Sequence, residues 1–326
     1  KKSPAPVSKK EILFKMASSN LRIANSLLLI RPGTNSHFEV LVAKRHAKAR
    51  FMANAVVFPG GVLEPADSDP QWYTQLHHNP DLPQSDDVYA ANLTALRIGA
   101  VREVFEETNV LLATGGKSTH ANVLRSWRKK VQKDPTCFFS CCQDLGKRLS
   151  LQTLHPFAHW ITPKLERYRY DTYFWLAFIN YGKPDSAHHF FHDDLDSATQ
   201  IDDKEIVNTS WIRPQQLLDD ACAKKVMLAP PTWYLLHELA SFRSIDDLYR
   251  SVCNFSCTIQ AYKQRFAPVQ PTLVGDDQGR LNVILPGDGE HPLSLGADAK
   301  HRIIKLPSEE KAPYRLIDTR SIQSSL

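Results

Sequence analysis

Short apolar runs and longer stretches with helical spacing alternate along this chain. Residues 22–31 and 37–45 are apolar runs of strand length on either side of the polar turn PGTNS, and 54–61 is a third run that ends in two glycines. Residues 170–180 are rich in aromatic and β-branched side chains, and a shorter apolar run surrounds Trp211. Runs of this length and composition predict β-strands.

Helical spacing begins after a polar segment rich in proline and aspartate, residues 64–87. Apolar residues then recur every three or four positions and predict a buried helix face: Leu93, Leu96, Ala100 and Val104. Residues 120–150 and the stretch from 214 to about 258 also predict helices, whereas short β-like segments return after 271. The pattern indicates an α+β fold with a mixed sheet, a helical insertion and a helical C-terminal extension.

The same pattern divides the chain into three regions. We expect a disordered basic segment over 1–19 and a main domain over 20–258, followed by an extension of unknown role over 259–326. The main domain has insertions at 68–94 and about 115–155.

Composition narrows the choice of function. The chain has 326 residues, of which 42% are hydrophobic, and this is enough for a large core. The net charge of +5 is spread along the sequence, so nucleic acid is not expected as a partner, whereas a polyanionic small molecule would suit it. No run approaches the roughly 18 apolar residues of a membrane span, so no membrane partner is expected. Six cysteines in apolar, helix-spaced surroundings indicate reduced thiols of an intracellular protein.

Three glutamates lie within the predicted helix face, in the segment AVREVFEETNV at 100–110. On a helix, Glu103 lies three residues before Glu106 and four before Glu107, so their side chains share one side. Like charges so placed repel one another unless a cation neutralises them, and Mg²⁺ favours carboxylates together with water and phosphate oxygens. The alternative is a solvated acidic surface.

These residues resemble the motif of the Nudix hydrolases, G-x5-E-x7-R-E-U-x-E-E-x-G-U, where U is a bulky apolar residue. Gly61 is followed five residues later by Asp67, in place of the first glutamate of the motif, and the sequence then resumes at Arg102-Glu103-Val104-Phe105-Glu106-Glu107. Asn109 replaces the last glycine, and asparagine is the next-best residue for the left-handed helix end that this position implies. Residues 68–101 stand where the motif has seven residues. An insertion can be accommodated on the surface at modest entropic cost, provided that Asp67 still pairs with Arg102.

A second signature resembles that of the Nudix enzymes which cleave coenzyme A. In LVAKRHAKARFMANAVVFPGG, residues 41–61, Arg45, Arg50 and the FPGG segment beginning at Phe58 keep the spacing of that signature. The insertion within the motif and the later segments WITP, YDTYFWLAF and LAPPTWY look like the peroxisomal coenzyme A diphosphatase subgroup. The resemblance implies an α/β/α sandwich in which Arg45, Arg50 and Phe58 contact substrate. The alternative for the two arginines is a pair of surface side chains.

The resemblance also implies the chemistry. The diphosphate of coenzyme A or acyl-coenzyme A would be hydrolysed to 3′,5′-ADP and (acyl-)4′-phosphopantetheine. Glu103, Glu106, Glu107 and the Gly61 carbonyl would hold Mg²⁺ or Mn²⁺, and Arg102 with Asp67 would support them. The general base would be Glu106 or Glu205. Two alternatives stay open: a Nudix pyrophosphatase of NADH, nucleotide sugars or capped RNA, and an inactive Nudix binding module.

The segment Ser324-Ser325-Leu326 is similar to a peroxisomal address of the S-K-L kind, with serine at the basic position. With the family resemblance, it predicts a peroxisomal location and the peroxisomal import receptor as a partner. Mitochondrial and cytoplasmic locations stay open.

Overall fold

The computed structural model describes residues 21–34, 37–47, 52–72, 88–116, 119–181, 206–253, 259–275, 280–292, 301–305 and 314–318. The strands are β1 (Leu21–Pro32), β2 (Phe38–Arg45), β3 (Ala55–Val57), β4 (Gly60–Val62), β5 (Ala113–Thr114), β6 (Arg148–Leu149), β7 (His155–Ile161), β8 (Arg169–Phe178), β9 (Ile206–Ile212), β10 (Met227–Leu228), β11 (Thr272–Gly275), β12 (Leu281–Ile284), β13 (His301–Lys305) and β14 (Tyr314–Asp318). The helices are α1 (Val88–Thr108), α2 (Ala121–Val131), α3 (Cys137–Asp144), α4 (Pro214–Cys222), α5 (Pro230–Ala240), α6 (Ile245–Cys253) and α7 (Ile259–Arg265). Two 3-10 turns span Pro65–Ser68 and Leu151–Thr153.

The central strand of the large mixed sheet is β1. It runs parallel to β8 and antiparallel to both β2 and β4. The strand order is β10-β3-β2-β1-β8-β7, with β4 paired to β1 and β9 paired to β2. The strands predicted near residues 22–31, 37–45, 170–180 and Trp211 are confirmed as β1, β2, β8 and β9.

Each face of this sheet carries its own apolar cluster, because successive side chains of a strand point to opposite faces. On one face, Leu27, Leu29 and Trp175 pack with Leu93 and Val104 of α1, and residues from α2, α3 and α7 join the same cluster. On the other face, alternate residues of β1, β2 and β8 pack with α4, α5 and α6. The chain therefore folds as an α/β/α sandwich, as predicted.

The segments after residue 271 form a second, four-stranded antiparallel sheet in the order β11-β12-β13-β14. Val283, Leu285 and Ile303 from this region join the cluster that contains α5. Arg302 on β13 forms a bidentate ion pair with Asp288, whose side chain is fully buried. The C-terminal region thus shares a hydrophobic core with the main sheet.

Two further expectations can be compared with the fold. Among the described residues, Cys137, Cys141, Cys142, Cys222 and Cys253 are free thiols, as predicted. None of the helices that the structure describes has the length and apolar composition of a membrane span. Residues 1–19 lie outside the described residues.

Candidate functional site

A buried ion pair joins the two ends of the long insertion. The Nε and Nη2 atoms of Arg102 lie 2.8 and 3.0 Å from the two carboxylate oxygens of Asp67, in the bidentate arrangement that makes such pairs strong. Both side chains are at most 2% exposed. Asp67 also accepts a hydrogen bond from the Glu64 amide, and Arg102 donates another to the Val62 carbonyl. The predicted pairing is present, so residues 68–101 begin and end at neighbouring points of the fold.

The three glutamates of α1 border the glycine turn that follows β3. Arg102 Nη1 donates hydrogen bonds to the carboxylates of both Glu103, at 2.9 Å, and Glu106, at 2.6 Å. The Gly60 amide donates to Glu107 Oε2 at 2.9 Å. A Cβ atom built on Gly61 would lie 2.5 Å from the Glu103 carboxyl carbon, so that carboxylate rests against the glycine. The halves of the interrupted motif therefore meet.

Burial sets the electrostatics of this cluster. It raises the pKa of Glu103 to about 7, against the opposing effect of Arg102 and with a further increase from Glu106. Burial also raises the pKa of Glu106, again opposed by Arg102. Burial alone would lower the pKa of Arg102, but its hydrogen bond to Asp67 and the nearby carboxylates raise that pKa above its ordinary value. One guanidinium thus does not fully offset the desolvation of the carboxylates, and a further cation would favour their ionised forms.

The donor set fits a hard divalent cation, since it consists of carboxylate oxygens beside the backbone of Gly60 and Gly61. Among the described residues, however, no three His, Cys, Asp or Glu side chains are arranged as a ready metal-binding group. In this structure Glu103 and Glu106 contact Arg102, and Glu107 contacts the Gly60 amide. Each of these contacts uses one carboxylate oxygen, so a cation could be bound through the other oxygen while Arg102 holds the side chain in place.

The C-terminal end of α1 is fixed by side chains that the sequence did not single out. Arg128 Nε on α2 and Nε2 of Gln132, the residue that follows this helix, donate to the Glu106 carbonyl at 2.6 and 2.8 Å. Arg128 Nη2 lies 3.5 Å from the Glu107 carbonyl. Asn109 ends the helix in the predicted left-handed conformation, with φ of 60°. Two glutamates of the cluster therefore stand on backbone that α2 holds in place. Every residue has a backbone carbonyl, so hydrogen bonds to these groups produce no sequence motif. For that reason no sequence signal pointed to Arg128 or Gln132.

The residues predicted to contact substrate lie in different environments. Arg45 ends β2, and its Nε atom is buried without a hydrogen-bond partner among the described residues. Arg50 and Glu205 lie outside the described residues. The expectation that Phe58 contacts substrate needs correction: its side chain is 3% exposed and packs in the apolar cluster on the sheet face opposite α1. The following residues of FPGG lead into β4, which begins at Gly60, whereas Phe58 itself belongs to the core.

A row of polar and aromatic side chains extends across the sheet from the glycine turn. Gly61 pairs with Asn25, Asn25 with Tyr173, and Tyr173 with His159, so all four positions share one face. The His159 ring stacks on Tyr173 at 4.1 Å and is hydrogen-bonded to Asp171. Tyr173 and Asp171 lie on β8, a predicted strand, whereas His159 was missed because β7 was not predicted as a strand.

Comparison with known proteins gives consistent matches. A family model described as the NUDT19 Nudix domain matches residues 83–239. An acyl-coenzyme A diphosphatase NUDT19 of Gallus gallus is 31% identical over 298 residues, which cover 78% of this chain and 73% of that protein. The protein of the same name from Xenopus laevis is 27% identical over 79% of this chain and 72% of its own length. The crystal structure of a NUDIX hydrolase from Alicyclobacillus acidocaldarius has a TM-score of 0.56 at 21% identity, over 71% of this chain and 96% of that one.

Proposed function

This chain belongs to the Nudix hydrolase family, and from that premise we propose that it hydrolyses the diphosphate of coenzyme A or acyl-coenzyme A. The products are 3′,5′-ADP and 4′-phosphopantetheine, with or without the acyl group. The substrate class follows the names of the relatives from Gallus gallus and Xenopus laevis, which are acyl-coenzyme A diphosphatases.

One observation carries the proposal: the buried pair of Asp67 and Arg102 brings Gly61 against Glu103 across the whole insertion. Without that contact the motif would be two unrelated sequence fragments. With it, the chain has the carboxylate-rich helix end and the adjoining glycine turn that Nudix chemistry uses. A site of this kind is difficult to explain as a solvated surface, because burial raises the pKa of Glu103 and Glu106.

We propose that the carboxylates beside the glycine segment bind the metal. Glu103, Glu106 and Glu107, with the Gly61 carbonyl, would hold Mg²⁺ or Mn²⁺. When bound, such a cation neutralises charge on the diphosphate and activates the attacking water. Arg102 orients two of the glutamates and is itself held by Asp67.

Proton transfer and substrate recognition involve further side chains. We assign the general base to Glu106 or Glu205, either of which could take the proton of the water. Arg45 supplies positive charge for a phosphate of the substrate, and Arg50 has the same proposed role.

The deciding experiment is a panel of substrates assayed with Mg²⁺ or Mn²⁺ in turn, with phosphate release coupled to a phosphatase. The panel contains coenzyme A, two acyl-coenzyme A esters, NADH, a nucleotide sugar and capped RNA, and a Glu106→Gln variant serves as the inactive control. We expect the coenzyme A compounds to be cleaved fastest, and the variant to be at least about 100-fold slower because it loses a charge that stabilises the transition state. Faster cleavage of another diphosphate would overturn the substrate assignment. Equal background rates for wild type and variant would indicate a binding module.

A peroxisomal location remains a prediction, since residues 324–326 lie outside the described residues. It is tested by imaging a fluorescent fusion that ends in Ser324-Ser325-Leu326 beside a fusion that lacks these residues. Identical distributions of the two fusions would contradict it.

A further inference from the structure

Three polar atoms on the paired strands β2 and β9 are buried with no hydrogen-bond partner in the part of the chain that the structure describes. They are the Thr209 hydroxyl, the Trp211 indole nitrogen Nε1 and Arg45 Nε. The Thr209 residue is only 4% exposed. Polar groups that lose water on folding without gaining a partner destabilise a protein, so three together call for an explanation.

The three side chains belong to one face of two paired strands. Leu41 on β2 pairs with Trp211 on β9, and Ala43 pairs with Thr209, which lies two residues from Trp211. Arg45 follows Ala43 by two positions on β2, and residues two apart in a strand share a face. The register with β9 shifts between Lys44 and Arg45, so Arg45 lies opposite Ile206. Leu41 is part of the apolar cluster beneath α1, and Trp211 packs against that cluster, which identifies the face as the one that α1 covers.

This face adjoins the glutamate cluster. Val57 of β3 pairs with Ala43 on the side opposite Thr209. The chain then reaches Gly60 within three residues, and the Gly60 amide binds the Glu107 carboxylate. Strands β2 and β3 therefore connect the unpartnered atoms with the glycine segment that contacts Glu107, on the side of the sheet that α1 covers.

The chemistry of these atoms selects their ligand. The indole N–H and the guanidinium Nε–H can only donate hydrogen bonds, and the threonine hydroxyl can donate as well as accept. A water molecule could accept from both donors and donate to the hydroxyl, but it would supply no charge opposite to that of the guanidinium. A phosphate group offers several acceptor oxygens together with the negative charge that pairs with arginine.

We propose that Thr209 and Trp211, together with Arg45, form a phosphate-binding subsite beside the metal-binding carboxylates. The subsite takes a phosphate group of the substrate, and its role in catalysis rests on the proposed function. No substrate-binding role was predicted for Thr209 or Trp211, and the strand register places them opposite Ala43 and Leu41, on the strand that ends in Arg45.

The first test uses inorganic phosphate and the full-length protein. The indole N–H resonance of Trp211 is identified in a proton–nitrogen correlation spectrum as the peak that is missing in Trp211→Phe. We expect this peak to move as phosphate is added to the wild type. Thr209→Val, which removes only the hydroxyl, should raise the apparent Kd about tenfold. The matched control is Ser210→Ala, since Ser210 lies between the two residues on the same strand but is exposed, and it should bind like the wild type.

The outcomes separate the subsite from the proposed function. A Trp211 resonance that stays fixed, or a Thr209→Val variant that binds phosphate as well as Ser210→Ala, overturns the subsite even if coenzyme A is cleaved. A resonance that moves in a protein unable to cleave coenzyme A leaves the subsite in place and refutes the function. If both hold, Thr209→Val should raise KM for coenzyme A about tenfold with little change in kcat. Its thermal stability should equal or exceed that of the wild type, because an unpartnered hydroxyl is removed.

Discussion

Replacing Gly61 by alanine should remove most of the catalytic activity and leave the fold in place. The added Cβ atom would lie 2.5 Å from the Glu103 carboxyl carbon and from Oε2, and 2.6 Å from Oε1, whereas ordinary contact begins at 3.4 Å. The carboxylate must therefore move by about 1 Å, and misplacement by that amount can reduce a rate on the order of 100-fold. The clash is with the end of a flexible side chain, and Gly61 does not have the positive φ that would strain an alanine. We expect kcat to fall about 100-fold, with a melting temperature close to that of the wild type.

The assay measures coenzyme A cleavage over a range of Mg²⁺ concentrations, and thermal unfolding is measured alongside it. Gly275→Ala is the control for the substitution itself, since nothing lies within 4 Å of the added atom. Gly99→Ala provides the opposite contrast: its Cβ atom would lie 2.9 Å from Asp67 Oδ2 and 3.0 Å from Asn25 Nδ2, both buried, so stability should fall. If Gly61→Ala retains activity within about threefold of the wild type, the contact between Gly61 and Glu103 does not position a group that catalysis needs.

Three other predictions concern the same helix. Asn109→Gly should stabilise the protein by about 1 kcal/mol in urea unfolding, because glycine favours the left-handed helix end. The substitution also removes the buried Asn109 amide, which has no partner among the described residues. A loss of stability would contradict this prediction. Arg128→Met should raise the Mg²⁺ concentration for half-maximal activity about tenfold, because the end of α1 loses the hydrogen bonds from Arg128. Arg128→Lys should restore part of the Mg²⁺ affinity. An unchanged metal titration would show that α2 does not position the glutamates. In EDTA, the unfolding free energy should decrease as the pH rises from about 4.5 to about 7, because the raised pKa of Glu103 means that the folded state holds the proton longer than the unfolded state. Glu103→Gln should lack this part of the pH profile, and an identical profile in the variant would refute the explanation.

The sequence was sufficient for those parts of the fold that repeat a simple pattern. Strands β1, β2 and β8 each contain an apolar run of strand length, and α1 carries helical spacing, so each was predicted close to its observed bounds. Strand β7 was not predicted as a strand, because Pro156 and two histidines interrupt its apolar pattern and a register shift lies at the proline.

The site was predictable where a motif specifies it and not elsewhere. Arg102 and Asp67 were expected to pair, since their motif positions require it, and they do. Phe58 was misassigned because the FPGG motif gives the position of the turn but not the sheet face on which its first side chain lies. Arg128 acts on backbone carbonyls, which every residue has, so nothing in the sequence could connect it with α1.

Because Asp67 pairs with Arg102, the positions of the glutamates do not depend on the length of the insertion. The bidentate contact fixes both ends of residues 68–101, and the entropic cost of closing a flexible loop grows only with the logarithm of its length, about 0.6 kcal/mol for each doubling. Additions or deletions between Trp72 and Val88 are therefore constrained mainly by folding of the inserted segment itself. In engineering terms, this is a position where a guest sequence can be grafted into the middle of a catalytic motif without moving the groups on either side of it.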